Sequence, residues 1–524
     1  MRKTLLSIVS ICALHYSFAQ TKEFNNGVFI VNEDWFGHSN GSVNFINSDN
    51  TVDYNAYKTV NPGEEFGVTT QSGTIYGDKF YFVSKQGNRL VVADAKTLTK
   101  EASFTTIGGD GRSFLGVDSK TGYIGTSKGI YLFDIKNLQV GALIEGTDKA
   151  GQIGNMVRTQ NYVFAVSQSG GMLIIDPKSH QIKQTILGSF NSVVQSKDGN
   201  VWAALSNKLI KINPATLETL EISIPTKTVP SSWGAWNAGS FCASVKENAI
   251  YFFPGSGWSV SPTMVKYDID NNQFNENFLT IPGQEEQYKQ TVYGAGVRVD
   301  PVSDELVITT TESGYGAHYE KNWVHRYDNQ GNLVKTIQLN DYYWFSALPV
   351  FPDTSAPQVN GLEATYHINS ETKIDLKDKV FDEDNLSSAI LKELTIIENE
   401  EVVDISINAE EELVIKPLKN GTATINLSFN SNGKVVEQPI TISTAVLGLI
   451  DANKSGKNIY PNPVTNTLFI ETDKADKAEI YNLAGLKVAE KILQKGKNNI
   501  DVNNLSKGVY IIKTNNTTYK IIKK

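Results

Sequence analysis

Short apolar runs, each closed by Asp or Asn and followed by a turn, recur along the first two thirds of the chain. They end at Asn47 in VNFINSDN, Asp94 in LVVADAKT, Asp134 in IYLFDIKN, Asp176 in LIIDPKSH, Asn213 in LIKINPAT, Asp268 in MVKYDIDN and Asp328 in VHRYDNQG. The spacings are 47, 40, 42, 37, 55 and 60 residues. A side-chain oxygen at such a position accepts from the backbone of the turn that follows. Other strand-like runs fill each period, such as 162–166 before 172–175, giving room for about four short strands, the content of one propeller blade. Seven copies predict a seven-bladed β-propeller over residues 24–353. The first repeat begins at Gly27 and lacks a strand, and a spare strand starting at Trp344 follows the seventh. The ring is therefore expected to close with three N-terminal strands and one C-terminal strand in one sheet.

Blade order places the candidate chemistry. When the strands of a blade run outward from the axis, the second-to-third turns and the crossings between blades share one face. Most of those connections are tight in blades three to five, and they swell in blades one, six and seven: 33–41, 229–237, 254–262, 283–293, 312–320 and the closing loop at 342–344. Five of the seven Trp residues fall in them (Trp35, Trp233, Trp236, Trp258 and Trp344), with Tyr315, Tyr319, Tyr342 and Tyr343 beside them. Aromatic side chains among Gly and Ser in loops have the composition of a binding surface. Blades six, seven and one are neighbours around a ring, so a single aromatic arc is expected. Some of these rings can instead plug their own loops. Trp202 and Trp323 lie in strands and are read as core.

Composition supports this picture. The 524 residues contain 41 Gly, 22 Tyr and 23 Phe but 4 Met, favouring turns and strands over helices. A net charge of −8 argues against nucleic acid as a partner. The charge is uneven: from residue 455 onward there are 12 Lys against 6 acidic residues, leaving −14 for the rest, which marks off a C-terminal module. Arg2 and Lys3, an apolar run at 5–14 and Ser17-Phe18-Ala19 read as a secretory signal peptide over residues 1–19. Cys12 leaves with that signal and Cys242 stands alone, so stability is expected from packing rather than disulfides.

Catalytic signals are sparse. His38 and His318 fall on the candidate face, near Glu33, Glu312 and Glu320, but no His-x-x-x-His spacing supports a metal. No nucleophile elbow, phosphate loop or Cys-x-x-Cys pair occurs. The expectation is a binding protein with no catalytic residue, metal or cofactor of its own. The alternatives are a propeller enzyme, such as a metal-dependent lactonase or lyase, and a carbohydrate-binding or adhesion module.

Beyond Pro352 the repeat stops. Six or seven short alternating strands over residues 356–445 suit an immunoglobulin-like β-sandwich. It resembles the cadherin-like spacer repeats of secreted bacterial proteins, and its acidic turn at 381–385 is read as solvated rather than as a calcium loop. The last stretch, 455–524, carries Asn458-Ile-Tyr-Pro-Asn-Pro-Val464, Leu468-Phe-Ile-Glu, Ala478-Glu-Ile-Tyr-Asn-Leu-Ala-Gly485 and a terminal Lys523-Lys524. It resembles the type A C-terminal sorting domain of type IX secretion, a small β-sandwich. That resemblance implies the type IX secretion machinery as partner and a cell-surface or extracellular destination.

The opening of the propeller, Gly27-Val-Phe-Ile-Val-Asn-Glu-Asp-Trp-Phe-Gly-His-Ser-Asn-Gly-Ser-Val-Asn-Phe, with Pro62-Gly-Glu-Glu-Phe-Gly, resembles the BtuG-like surface propellers that capture vitamin B12. It departs from their pattern at Asp34, where Gly is usual, and in the long loops of blades six and seven. The resemblance implies cobalamin or a related corrinoid as ligand and a TonB-dependent outer-membrane transporter as partner. It carries over to Trp35, Phe36, His38 and Asn40. The aromatic arc adds Trp233, Trp236, Trp258, Tyr315, His318, Tyr319, Tyr343 and Trp344 as expected ligand-binding residues.

Overall fold

The computed structural model describes residues 22–226, 239–256, 259–445, 459–515 and 517–524. Seven successive four-stranded antiparallel sheets form the propeller. In the first sheet Ser346–Val350 is innermost, beside Gly27–Asn32, Ser42–Asn47 and Val52–Asp53. Phe29 faces Val350 and Val31 faces Leu348 across the closing pair. The closing strand is shorter than the run from Trp344 suggests, because Trp344 and Phe345 belong to the loop above it.

The repeated Asp or Asn does the work expected of it. Asp94 Oδ1 accepts from the Lys96 and Thr97 amides at 3.0 and 2.7 Å. Asp176, Asn213, Asp268 and Asp328 hold the turns after them in the same way. Four residues after the closing residue, Leu98, Leu138, His180, Leu217 and Asn272 all have φ between 50° and 63°. Such left-handed backbone is costly for a leucine, and the repeated turn bonds offset it.

Between blades, apolar side chains from facing sheets interlock. Phe29 meets Phe80 at 5.0 Å across the first and second blades, and buried Trp202 meets Tyr267 at 5.5 Å across the fifth and sixth. Trp323 is half-buried. Cys242 is buried and free.

The second domain is a sandwich of a four-stranded sheet (Thr365–Ile368, Lys434–Thr444, Gly421–Ser431, Leu391–Glu398) and a three-stranded sheet (Thr372–Asp375, Glu412–Pro417, Val403–Ile407). It is a docked body rather than a loose spacer. It lies against the propeller face opposite the long loops. Gln160 exchanges two hydrogen bonds of 2.8 Å with the Lys392 backbone. Asn432 Nδ2 donates to Ile75 O and to Asp353, whose carboxylate also pairs with Lys434 at 2.6 Å. Asn430 reaches the Tyr76 hydroxyl. The acidic turn, expected to be solvated, is a correction: Asp382 and Asp384 are buried. Asp384 accepts from the Thr354 and Ser355 amides at 2.7 and 2.8 Å, so burial and hydrogen bonding to the linker replace solvent.

The third domain packs Ile459–Tyr460, Thr467–Thr472 and Gly496–Asp501 against a four-stranded sheet around Leu468, Ile480, Ile512 and Ile521. Among the described residues no helix is long and apolar enough to cross a membrane.

Candidate functional site

Ring closure brings two distant loops together above the first blade. The 33–41 loop leaves strand Gly27–Asn32, and residues 340–345 descend into Ser346–Val350. The Glu33 and Asp34 amides donate to the Phe345 and Trp344 carbonyls at 3.2 and 3.0 Å. Buried Asn322 donates to the Tyr319 and Tyr342 carbonyls, each at 3.0 Å, and so ties the 313–321 loop to the same place.

An aromatic row follows from this. Trp35 stacks on His38 at 3.9 Å and on Tyr343 at 4.4 Å. Tyr343 lies 6.4 Å from Phe345, which touches Tyr319 at 5.2 Å, and Tyr319 meets Tyr315 at 6.1 Å. Trp35 is 40% exposed, Phe36 63% and Tyr315 89%, which is high for large apolar rings held in place. Lys85 sits over the Phe36 ring at 5.7 Å.

Beside the row is a cleft of about 900 Å³, lined by Asp34, Phe36, His38, Asn40, Lys58 and Glu65 among others. Its second wall is the crossing from the first blade to the second, which carries the short helix Ala56–Val60. Asn40 Nδ2 and Lys58 Nζ both donate to the Glu65 carboxylate at 2.7 Å. The hydrogen bond from Lys58, then that from Asn40, holds the Glu65 carboxyl below the usual range.

Two carboxyls lie beneath. Glu33 accepts from Gln71 Nε2 at 2.6 Å and from the Tyr293 hydroxyl at 2.9 Å. Asp34, at φ 55°, accepts from Ser42 Oγ at 2.8 Å. Burial pushes the Glu33 carboxyl up to about 7 and the Asp34 carboxyl up to about 8, because the hydrogen bonds only partly replace water.

Of the expected ligand-binding residues, Trp35, Phe36, His38, Tyr315, Tyr319 and Tyr343 come together on this face, and Asn40 joins the cleft wall. His318 lies along the same face, held by Glu312 and Tyr288. Trp344 is a correction: it is 4% exposed, packed between the seventh and first blades with Val28, Ile30 and Val324. Its Nε1 donates to the Asn340 carbonyl, so its indole is a core side chain with an edge on the cleft. Trp233, Trp236 and Trp258 lie outside the described residues. Sequence reasoning missed Phe345, Tyr288 and the 54–67 crossing, although that crossing is as long as the loops it did select. Among the described residues no three His, Cys, Asp or Glu side chains gather as a metal site.

No curated protein matches the chain. Among solved structures, a quinonprotein alcohol dehydrogenase-like protein of Bacteroides thetaiotaomicron aligns at TM-score 0.48 and 18% identity, covering 63% of this chain and 79% of its own. The extracellular domain of a putative hybrid two component system of B. thetaiotaomicron aligns at TM-score 0.40 and 12% identity, covering 92% and 61%. Residues 458–524 match the secretion system C-terminal sorting domain, so the chain is exported to the cell surface by type IX secretion. Residues 26–352, more than half of the chain and the whole ring just described, match a second family, and the protein therefore belongs to the family described as Domain of unknown function DUF5074.

Proposed function

We propose that this surface propeller captures a large planar ligand on its long-loop face, that the ligand is cobalamin or a related corrinoid, and that it passes to a TonB-dependent transporter without a catalytic step. The observation that carries the proposal is the continuous row Trp35, Tyr343, Phe345, Tyr319 and Tyr315 beside an amide- and carboxylate-lined cleft. A cleft of about 900 Å³ lies near the top of the roughly 300–1,000 Å³ range of small-molecule sites, which favours a large ligand. A corrin offers apolar faces to stacked rings and amide arms to Asn40, Glu65 and Asp34. The likeness of residues 27–45 to the vitamin B12-capturing propellers supports the same ligand.

The test is co-elution of cyanocobalamin with the purified protein on a sizing column at micromolar concentration. Retention that is lost in the Trp35→Ala, Tyr343→Ala double variant supports the proposal. No retention by the natural protein refutes it. The Asn40–Glu65 pair at the foot of an aromatic wall favours a second reading, a polysaccharide stacked on the same rings, for which binding to glycans in place of the corrinoid is the decisive result.

A further inference from the structure

One imidazole on the loop face is held more tightly than an exposed loop histidine needs to be. His318 lies in the turn Gly316–Glu320 between strands Leu306–Glu312 and Asn322–Tyr327. Its Nδ1 is 2.6 Å from the Glu312 carboxylate. The Tyr288 ring stacks on it at 3.7 Å. The ring packs over Gly314, where a side-chain carbon would fall 2.9 Å from His318 Cδ2, so the turn leaves the imidazole its place by having no side chain there. The side chain nevertheless keeps 31% of its surface open. Ordering a partly exposed side chain costs rotamer entropy, so two separate restraints on one imidazole are not incidental to the turn.

These restraints define a chemical state. A neutral imidazole bonded to a carboxylate through Nδ1 carries its proton there, which leaves the Nε2 lone pair free. Nε2 makes no hydrogen bond among the described residues. A carboxylate behind an imidazole fixes its tautomer and ring orientation, the arrangement found behind metal-bound histidines. No cluster of three ligating side chains surrounds it among the described residues, so a free ion would lack its other ligands. A metal that arrives with its equatorial positions already filled by a macrocycle needs one axial donor only.

Resting on the corrinoid reading of this face, we propose that His318 Nε2 is the axial ligand to the cobalt of the captured corrinoid. The step is a ligand exchange. The cobalt–water bond breaks, the water leaves, and the Nε2 lone pair forms a cobalt–nitrogen bond with no change of oxidation state. Glu312 stays bonded to the Nδ1 proton throughout. His38, the other imidazole of the face, lies flat on Trp35 and has no such carboxylate partner among the described residues.

The experiment uses tag-free full-length protein in imidazole-free buffer, with aquocobalamin, whose axial water exchanges, and cyanocobalamin, whose axial positions are filled. Aquocobalamin is expected to shift its visible absorption bands to longer wavelength on binding, and cyanocobalamin to bind without such a shift. His318→Ala should retain both corrinoids, abolish the shift and release aquocobalamin about tenfold faster, with Glu312→Gln speeding release while preserving the shift. His367→Ala, in strand Thr365–Ile368 of the second domain, should leave the shift intact. Aquocobalamin bound by the natural protein without a spectral change, or a shift that survives His318→Ala, overturns the inference while leaving corrinoid capture standing. Retention of neither corrinoid by the natural protein overturns both.

Discussion

Glu33 gives the most quantitative prediction. Its carboxyl is 5% exposed at the root of the loop face and is pushed up to about 7 by burial, with Gln71, Tyr293 and Lys85 pulling the other way. In the unfolded chain the group ionises near 4.5. Between those values the folded protein holds a proton that the unfolded chain has released, so stability falls as pH rises through the window and levels off above about 7. At about 1.4 kcal/mol per pH unit, the loss comes to about 3 kcal/mol. Glu33→Gln keeps the shape, lets Gln71 and the Tyr293 hydroxyl reorient around an amide, and removes the ionisation. The variant should match the natural protein at pH 4.5 and exceed it by about 3 kcal/mol at pH 8. Denaturant unfolding followed by tryptophan fluorescence measures this directly, because all seven Trp fall within residues 24–353 of the sequence and none in the stretches of the other two domains. Comparing variant with parent cancels the other titrating groups, including Asp34, whose raised carboxyl acts in the same direction. A gap between the two proteins that does not change with pH would refute the reasoning.

Three further outcomes are expected. Trp344→Ala should cost about 3–5 kcal/mol by cavity formation, whereas Trp35→Ala should leave the unfolding midpoint nearly unchanged and weaken ligand binding; the same fluorescence titration and a binding assay separate them. Buried His325, bonded to Thr310, Gln290 and Thr336, is held down to about 4 by burial. Its charging in the unfolded chain alone should therefore cost stability as pH falls from about 6.5 to about 4, a slope that His325→Gln removes. Gln160→Ala with Asn432→Gly deletes four side-chain hydrogen bonds to backbone and Asp353 while keeping the left-handed turn at residue 432. At about 1 kcal/mol each, the docking should weaken by about 4 kcal/mol, exposing residues 353–357 to limited proteolysis.

The blades were legible in the sequence because each carries its own local mark, an Asp or Asn that bonds the next turn, and because a strand missing at one end reappears at the other. The aromatic arc was legible as composition but not as exposure. Trp344 and Tyr343 are adjacent and chemically alike, yet one faces the core and the other the loops, and only the backbone path of the loop above the closing strand separates them. Glu33 and Asp34 sit in a polar loop whose sequence gives no sign of burial. The docking of the second domain rests on Gln160, Asn430 and Asn432, polar turn residues of the kind that usually meet solvent. Phe345 was hidden for a different reason: it reads as the start of a strand, whereas its φ of 44° breaks the strand just before Ser346.

The clasp between Gly27–Asn32 and Ser346–Val350 has a consequence for when the protein becomes competent. The stack of Trp35 on Tyr343 joins residues about three hundred positions apart, and the pairing of the first and last strands is what brings their loops together. A chain that has not yet placed its last strand carries the same amino acids without this stack. The aromatic row therefore takes shape only when the final strand pairs with the first, so a chain still in transit through the envelope lacks the surface that the finished ring displays.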